Sequence, residues 1–367
     1  MTALETRGRE QVLAAARRLV EERLIARTWG NISVRVSETQ FLITPSGLAY
    51  ETLRADQLVL VDIADGSYHG PVKPSSEKGI HAAAYRLRPE AGFVIHTHQY
   101  WASVAGVAGT AVTGFIHPLL GKRVPCAAYG LPGTKSLRRA VEAEMAAWPD
   151  CRAFLLRNHG ALCLGKDMED AFAAAQALEE VCENRVMDAM GEPEPLPVPP
   201  DLGSSIREGD SFILTRGGVS RRYPLAGTGL PSAAALHAAV YRGGNFRQVV
   251  HGTGWETLAV CGQRRLRPYL DDLAQIAGAD IRCVPPDPKH VEKAIRGRNA
   301  VLLRGAGALC AGTEEGDAEA VRVLLRKGCA ACLYAREVPR CRPLGEGDAR
   351  LQRVIYQRSY ARKKPSC

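Results

Sequence analysis

The second half of this chain repeats the first half, and this duplication limits what the chain can fold into. Three segments return in the same order: residues 80–86, 94–96 and 155–163 return as residues 236–242, 249–251 and 302–310. The longest pair reads LLRNHGALC in the first copy and LLRGAGALC in the second. Matches in one order along both halves indicate that a domain was duplicated.

A proline-rich segment separates the two copies. Residues 191–200 read GEPEPLPVPP, a composition that favours an extended linker. We predict a first domain over residues 1–190, a linker over 191–202 and a second domain over 203–367. In the first copy an amphipathic helical pattern over residues 5–23 precedes short apolar runs of strand character, which indicates an α/β domain.

Three histidines of the first copy follow apolar runs and are suited to bind one metal ion. His96 and His98 follow the run that begins at Phe93, and alternate residues of a strand point to the same face. His159 follows a second run, residues 153–156. Three neutral imidazoles with one open position suit a catalytic Zn²⁺, so we predict one zinc site per chain. A lone His-x-His can arise by chance on an exposed strand, but the third histidine favours the metal.

A carboxylate that could move protons beside such a metal, Glu77, lies at the predicted start of a helix. Ser75 and Ser76 directly precede it, and the helical pattern covers residues 76–87. Serine favours helix N-caps, and the free backbone N–H groups at a helix start attract anions, so a phosphate could bind here. The same residues also suit a helix that is simply capped.

Six motifs of the first copy occur in an order that resembles the class II aldolase/adducin family. They are Gly30-Asn31, residues 44–47 (TPSG), residues 74–77 (PSSE), residues 96–98 (HTH), Gly133-Thr134 and residues 158–160 (NHG). The resemblance covers residues 1–190 and, in degenerate form, the second copy. It implies a three-layer α/β/α domain with a central, mostly antiparallel sheet, present twice in the chain.

The resemblance also implies roles for individual residues. It gives zinc ligation to His96, His98 and His159 and the acid/base role to Glu77. It gives the substrate phosphate to five residues: Asn31, Thr44, Gly47, Ser75 and Ser76. The implied activity is that of a zinc-dependent aldolase, which cleaves or forms a C–C bond in a phosphorylated ketose through a metal-stabilised enediolate.

Two alternatives to an aldolase stay open. Relatives with similar metal chemistry epimerise, dehydrate or decarboxylate sugar phosphates, and adducin is a scaffold without catalysis. A tyrosine that helps to protonate the leaving aldehyde oxygen in an aldolase of this family has no counterpart here, because residues 115–118 read FIHP. His117, Tyr100, Tyr356 and Tyr360 are the candidate donors that replace it. The intact His and Glu set argues against the scaffold.

The second copy keeps core positions and has lost the chemistry. The positions of Glu77, His98 and His159 hold Ala233, Thr253 and Ala306. The remaining histidine, His251, cannot hold a catalytic zinc alone. Residues 211–214 align best with the strand at residues 58–61, so we expect the opening helix and the two N-terminal phosphate turns to have no counterpart.

The composition limits the classes of partner. The formal net charge of +9 favours anionic substrates, and with 6% aromatic residues and no nucleic-acid-binding motif we expect no nucleic-acid partner. No apolar stretch is long enough to span a membrane, and no signal core is present, so we expect a cytoplasmic protein without membrane attachment. Eleven cysteines without a framework are predicted to be reduced, and Cys329 and Cys332 to be buried or idle thiols.

The duplication also bears on assembly. Enzymes that this chain resembles form four-fold rings with active sites at subunit boundaries. Two tandem chains could therefore close a pseudo-four-fold ring with true two-fold symmetry. In such a homo-oligomer, active and degenerate domains would alternate.

Overall fold

The computed structural model describes residues 2–22, 24 and 29–361, of which residues 359–361 are described without their side chains. The chain divides into two compact units, Met1–Ala189 and Met190–Cys367. Each unit is built around one large β-sheet with helices on its faces.

Unit 1 is a sheet in which nearly every strand pairs antiparallel with its neighbours. Its helices are α1 (Ala3–Glu21), α2 (Lys78–Leu87), α3 (Tyr100–Gly106), α4 (Lys135–Ala147) and α5 (Met168–Met190). Its strands are β1 (Asn31–Arg35), β2 (Gln40–Ile43), β3 (Val59–Asp62), β4 (Phe93–Thr97), β5 (Val112–His117), β6 (Gly121–Val124), β7 (Cys126–Ala127), β8 (Ala153–Leu156) and β9 (Gly160–Gly165). The strand order is β3-β2-β1-β4-β9-β8-β7, with only β7 and β8 parallel, and β5 and β6 form a separate hairpin.

Helices cover both faces of this sheet. The apolar residues of α2 and α4, such as Ile80 and Val141, pack with one face of the strands, including Val94 and Leu162. On the other face α1 crosses β1 and β2, where Gly8 approaches the side chain of Leu42. The predicted three-layer α/β/α fold with a mostly antiparallel sheet is therefore confirmed.

The helix boundaries differ slightly from the predicted ones. Helix α1 begins at Ala3, because Thr2 and Glu5 form a capping box, and Arg23 lies outside the described residues. Helix α2 begins at Lys78, two residues after the predicted start. Glu77 is the N-cap residue of α2, and its backbone N–H donates to the Ser75 hydroxyl at 3.2 Å.

Unit 2 repeats this topology and adds elements at one end of its sheet. Its strands are β10 (Ser204–Glu208), β11 (Ser211–Arg216), β12 (Val219–Pro224), β13 (Gln248–Gly252), β14 (Arg265–Leu266), β15 (Ile281–Val284), β16 (Ala300–Leu303) and β17 (Gly307–Gly312). Its helices are α6 (Ser232–Gly243), α7 (Trp255–Val260), α8 (Asp271–Ile276), α9 (Pro288–Ile295), α10 (Asp317–Glu337) and α11 (Glu346–Ala361). The strand order is β12-β11-β10-β13-β17-β16-β15-β14.

The strand pairing corrects one part of the predicted alignment. In unit 1 β1 lies between β2 and β4, and in unit 2 β10 lies between β11 and β13. Strand β11, with residues 211–214, is therefore the counterpart of β2 and not of the strand at residues 58–61. Short apolar strands look alike in sequence, and only their partners distinguish them. The segment between β2 and β3, which holds Thr44 and Gly47, is reduced in unit 2 to a turn at Gly217 and Gly218.

Helix α10 carries the two cysteines that the sequence analysis singled out. Cys329 and Cys332 lie buried on α10 as free thiols, as predicted. Within the described parts of the chain, no helix combines the length and the apolar character that a membrane span requires.

The close pairing of β4 with β9 requires a glycine, which yields a testable prediction. A Cβ on Gly160 would lie 2.2 Å from the carbonyl oxygen of Thr97, and one on Gly307 would lie 2.3 Å from that of Gly252. We expect Gly160→Ala and Gly307→Ala each to lower the free energy of unfolding of its own domain by about 1–3 kcal/mol, measured by urea unfolding. Gly262→Ala, where a Cβ would meet open space, is the control and should stay near wild type. A Gly160→Ala protein as stable as wild type would contradict this packing.

Candidate metal centre and active site

The structure brings the three predicted histidines of unit 1 together. The ring centroids of His96, His98 and His159 lie 4.6–4.9 Å apart in pairs. One nitrogen from each ring can be chosen so that all three lie within 4.8 Å of one another, and all three residues are buried. Imidazole nitrogens at this spacing can bind a single metal ion.

Strand geometry positions each histidine. His96 lies on β4, the central strand, where it pairs with Asn31 of β1 and Leu162 of β9. His98 follows the end of β4, and His159 lies in the turn that joins β8 to β9. The turn contains Asn158, which has a φ of 61°. Because β4 and β9 pair antiparallel, the end of β4 lies beside the start of β9, which brings His98 and His159 close together.

The hydrogen bonds of His96 suit it to ligate a metal. Its Nδ1 lies 2.8 Å from the carbonyl oxygen of Ala161, so Nδ1–H donates there and Nε2 keeps its lone pair. Nε2 of His96 faces Nε2 of His98 at 3.1 Å. A backbone carbonyl that fixes the tautomer is the usual arrangement around metal-binding histidines.

Glu77 lies against the same cluster. One of its carboxylate oxygens is 2.9 Å from His159 Nε2 and the other is 3.2 Å from His96 Nε2. The side chain is 8% exposed. Burial alone would raise the pKa of Glu77, but the adjacent imidazoles of His96 and His159 hold it well below its usual range. The carboxylate is therefore ionised at neutral pH.

A chain of buried polar side chains orients Glu77. The Asn31 side-chain amide donates to Glu77 at 3.0 Å, and the Asn31 carbonyl oxygen accepts from His81 Nε2. Burial lowers the pKa of His81 to about 3, so the ring is neutral and its Nδ1 accepts from the Ser33 hydroxyl at 2.6 Å. Ser33 in turn contacts the Tyr85 hydroxyl at 2.8 Å. Directional hydrogen bonds thus link the carboxylate to β1 and α2.

The residues predicted to bind phosphate lie on adjoining segments. The backbone N–H of Ser75 donates to the carbonyl oxygen of Thr44 at 3.1 Å, so the two turn motifs are neighbours. Thr44 and Ser75 are buried, whereas Ser76 is exposed beside Gly133. Gly47 has a φ of 68°, a value that favours glycine. The sequence predicted both turns but could not predict that they are adjacent.

Some residues that hold the centre together were not singled out from the sequence. The Tyr50 hydroxyl donates to the carbonyl oxygen of Gly30 at 2.7 Å, which fixes the turn before Asn31. The Glu179 carboxylate accepts from the backbone N–H groups of Trp101 and Ala102, and so anchors the segment after His98. Tyr50 is also buried. A buried tyrosine or a half-buried glutamate looks ordinary in sequence, so no local signal could have identified these roles.

The candidate proton donors occupy different places. His117 ends β5 in the hairpin, and its Nδ1 accepts from the backbone N–H of Leu119 at 3.1 Å. Tyr100 begins α3, directly after the segment that follows His98. Tyr356 lies on α11 of unit 2, and the side chain of Tyr360 is outside the described residues. The second proton donor thus stays unassigned among these residues.

In unit 2 the corresponding position is occupied by a different interaction. His251 Nε2 lies 2.7 Å from the carbonyl oxygen of Ala306, and its Nδ1 accepts from the backbone N–H of Leu202 at 3.2 Å. Both ring nitrogens of His251 are therefore used in hydrogen bonds to the backbone. The Ser33–His81–Tyr85 contacts return as those of Ser205, His237 and Tyr241, at 2.7 and 2.8 Å.

Known proteins resemble this chain over about half of its length. The 5-methylthioribulose-1-phosphate/5-deoxyribulose-1-phosphate aldolase of Rhodospirillum rubrum is 34% identical over 194 residues, which cover 52% of this chain and 85% of that protein. The L-fuculose phosphate aldolase of Escherichia coli is 31% identical over 175 residues, 47% of this chain and 78% of that protein. A solved L-fuculose 1-phosphate aldolase aligns at 28% identity with a TM-score of 0.47, over 54% of this chain and 92% of that chain.

The family comparison extends over both halves. The family described as Class II Aldolase and Adducin N-terminal domain matches residues 10–186 and residues 205–333. The two matched segments cover most of the two sheets and their helices, and α11 lies outside the second segment. The chain therefore belongs to the class II aldolase/adducin family and carries two copies of its domain, the second of which is degenerate.

Proposed function

We propose that this chain is a zinc-dependent aldolase that cleaves or forms a C–C bond in a phosphorylated ketose. The observation that carries the proposal is the buried Glu77 carboxylate, which lies within hydrogen-bond distance of two members of a three-histidine cluster. A base beside three metal-binding imidazoles suits abstraction of a proton from a carbon next to a carbonyl. The relatives in Rhodospirillum rubrum and Escherichia coli are named aldolases of phosphorylated sugars, which supports the same class.

His96, His98 and His159 would hold the metal in this proposal. Three neutral nitrogen donors with space for further ligands suit Zn²⁺, although other divalent ions accept such a set. A zinc ion there would supply a Lewis acid for the carbonyl and hydroxyl oxygens of the substrate. The carbonyl of Ala161 holds His96 in the tautomer that ligation needs.

Glu77 would move the proton. It is ionised at neutral pH, so it can accept a proton from the substrate carbon and return it in the reverse direction. The Asn31 amide holds one carboxylate oxygen, which restrains the rotation of the group. Asn31 is itself fixed by neutral His81, so the base is positioned before substrate binds.

The substrate phosphate would bind near Asn31, Thr44, Gly47, Ser75 and Ser76. Thr44 and Ser75 are linked by a backbone hydrogen bond, and Ser75 lies two residues before Glu77, the N-cap of α2. Backbone N–H groups at the start of a helix attract anions. This position lies next to Glu77, so a phosphate held there would keep the sugar carbon atoms beside the base and metal.

A second candidate reaction uses the same residues with a different outcome. Epimerisation, dehydration or decarboxylation of a sugar phosphate also needs a base beside a metal. The sequence FIHP at residues 115–118 favours this alternative, because it lacks the tyrosine that an aldolase of the family uses. A non-catalytic, adducin-like scaffold is disfavoured by the assembled histidines and Glu77.

The free thiols of the described cysteines fit the cytoplasmic location predicted from the sequence.

The metal assignment predicts about one zinc per chain, because the second copy lacks two of the three histidines. Elemental analysis of the purified protein measures this directly. His96→Ala/His98→Ala should lose the metal, whereas the control His251→Ala should keep it, since His251 is bonded to the backbone. Two zinc ions per chain, or metal retained in the double variant, would refute the assignment.

The reaction is tested by a screen of phosphorylated ketoses for aldehyde release, with a coupled alcohol dehydrogenase readout. We expect Glu77→Gln to lower kcat by about 10²-fold or more while the metal stays bound, because glutamine cannot take the proton. A phosphate-free analogue should be a poor substrate, and Ser75→Ala should raise KM for the phosphorylated one. Turnover of a sugar phosphate without aldehyde release would favour the epimerase class, and unchanged kcat in Glu77→Gln would refute the role of Glu77.

We further propose that two chains assemble as a homodimer with alternating active and degenerate domains. Two copies of one domain in each chain give the four domains that a pseudo-four-fold ring needs. Light scattering should therefore give twice the chain mass of 39.6 kDa. A monomer would refute the ring.

A further inference from the structure

Unit 2 contains a cleft that carries none of the family's site residues and is lined mainly by arginines. Its volume is about 480 Å³, and residues of β14, β15 and α11 and the segment after α9 line it. Seven arginines and two carboxylates, Asp280 and Glu346, contribute to the lining. The guanidinium groups outnumber the carboxylates, so the lining of the cleft has a net positive charge.

This cleft is separate from the degenerate counterpart of the metal centre. That counterpart borders another cavity, which includes Thr215, His251 and Thr253, and the two cavities share no lining residue. Unit 2 has β14 and α8 after α7 where the described part of unit 1 has the β5–β6 hairpin after α3, and α11 is a further helix after α10. The cleft is thus lined both by β14 and α11 and by β15 and the segment after α9, which correspond to β7 and the segment after α4.

Two arginines form a fixed inner wall of the cleft. Arg353 donates to the carbonyl oxygens of Gln275 and Ile276 at 2.8 and 2.7 Å, and also to the side chain of Asn299. These partners are neutral, so they orient the guanidinium without cancelling its charge. Burial lowers the pKa of Arg353 to about 10, which leaves it protonated at neutral pH. Arg298 is held by Asp280 at 2.5 Å.

Exposed arginines form the rim. Asp280 is shared between Arg298 and Arg282, and Glu346 lies 3.6 Å from Arg265. Arg350 on α11 is exposed and also lines the cleft. The carboxylates are therefore fewer than the cations that surround them, and the rim can bind further anionic groups.

We propose that this cleft binds a small ligand that carries two or more linked phosphate groups. Guanidinium groups bind phosphate oxygens in bidentate fashion, and seven line this cleft, of which Arg353 and Arg298 are held at fixed positions. The volume is in the range of small-molecule sites. None of the described residues that line the cleft is aromatic, so it lacks the stacking surface that single-stranded nucleic acids use. The ligand is therefore recognised by its phosphates, whether it is an inorganic polyphosphate or the phosphate tail of a nucleotide.

Calorimetric titration of the full chain with tripolyphosphate tests the proposal, with ATP as a parallel ligand to separate the two sources. We expect Arg282→Gln/Arg350→Gln to weaken binding by about 10-fold or more, since each removes a charged hydrogen-bond donor. The matched control is Arg221→Gln/Arg247→Gln, which removes two exposed arginines of unit 2 outside the cleft. The control should bind as wild type does. The single variant Arg350→Gln, at an exposed position, should show a smaller weakening and guards against misfolding.

Several outcomes would overturn the proposal. One is no measurable heat at about 1 mM tripolyphosphate and ATP, the concentration at which even weak binding is detected. Another is equal weakening in the cleft pair and the control pair, which would indicate general electrostatic attraction. Tighter binding of a short single-stranded RNA, or equal binding of orthophosphate, would also refute it. Unchanged ligand binding in Arg282→Gln/Arg350→Gln would refute it as well, whatever the mass of that variant by light scattering.

Discussion

The pairing of β4 with both β1 and β9 is the constraint on which the candidate site depends. Its register places His96 opposite Asn31 on one side and Leu162 on the other. Gly160 lets β9 approach the carbonyl of Thr97, so the turn that carries His159 lies beside the end of β4. That close approach helps to bring the three imidazoles within 4.8 Å of one another. The local need for glycine is therefore also a need of the site.

A buried polar network connects the fold with the chemistry. Ser33, His81 and Tyr85 join β1 to α2 and have counterparts in Ser205, His237 and Tyr241. Because the degenerate copy keeps this part, the network serves the packing of a helix on the sheet. Only the first copy extends it through the Asn31 amide to a carboxylate. A hydrogen-bond network common to both copies thus also orients the Glu77 carboxylate in one of them.

The two copies illustrate how a duplicated domain can diverge while its fold is kept. Core strands and helices persist because each apolar side chain contributes to burial wherever the domain is used. Metal ligation has no such support, and in the second copy a backbone carbonyl takes the imidazole that a metal would need. In the same copy β14 and α11, together with β15 and the segment after α9, line an arginine-rich cleft. The second copy therefore lost the metal-site residues near its inner strands and has an arginine-lined cleft near the other end of its strand order.

The sequence alone determined the duplication, the class of fold and the identity of the three histidines and Glu77, because these are carried by local patterns and by motif order. It predicted helix α2 two residues too early and aligned residues 211–214 with the wrong strand, since short apolar strands are alike until their partners are known. Only the tertiary structure decided that Asn31 contacts Glu77, that the turns of Thr44 and Ser75 adjoin, and that distant arginines of unit 2 meet. Such contacts join residues far apart in the chain, and strand pairing and helix packing determine them, which no local periodicity encodes.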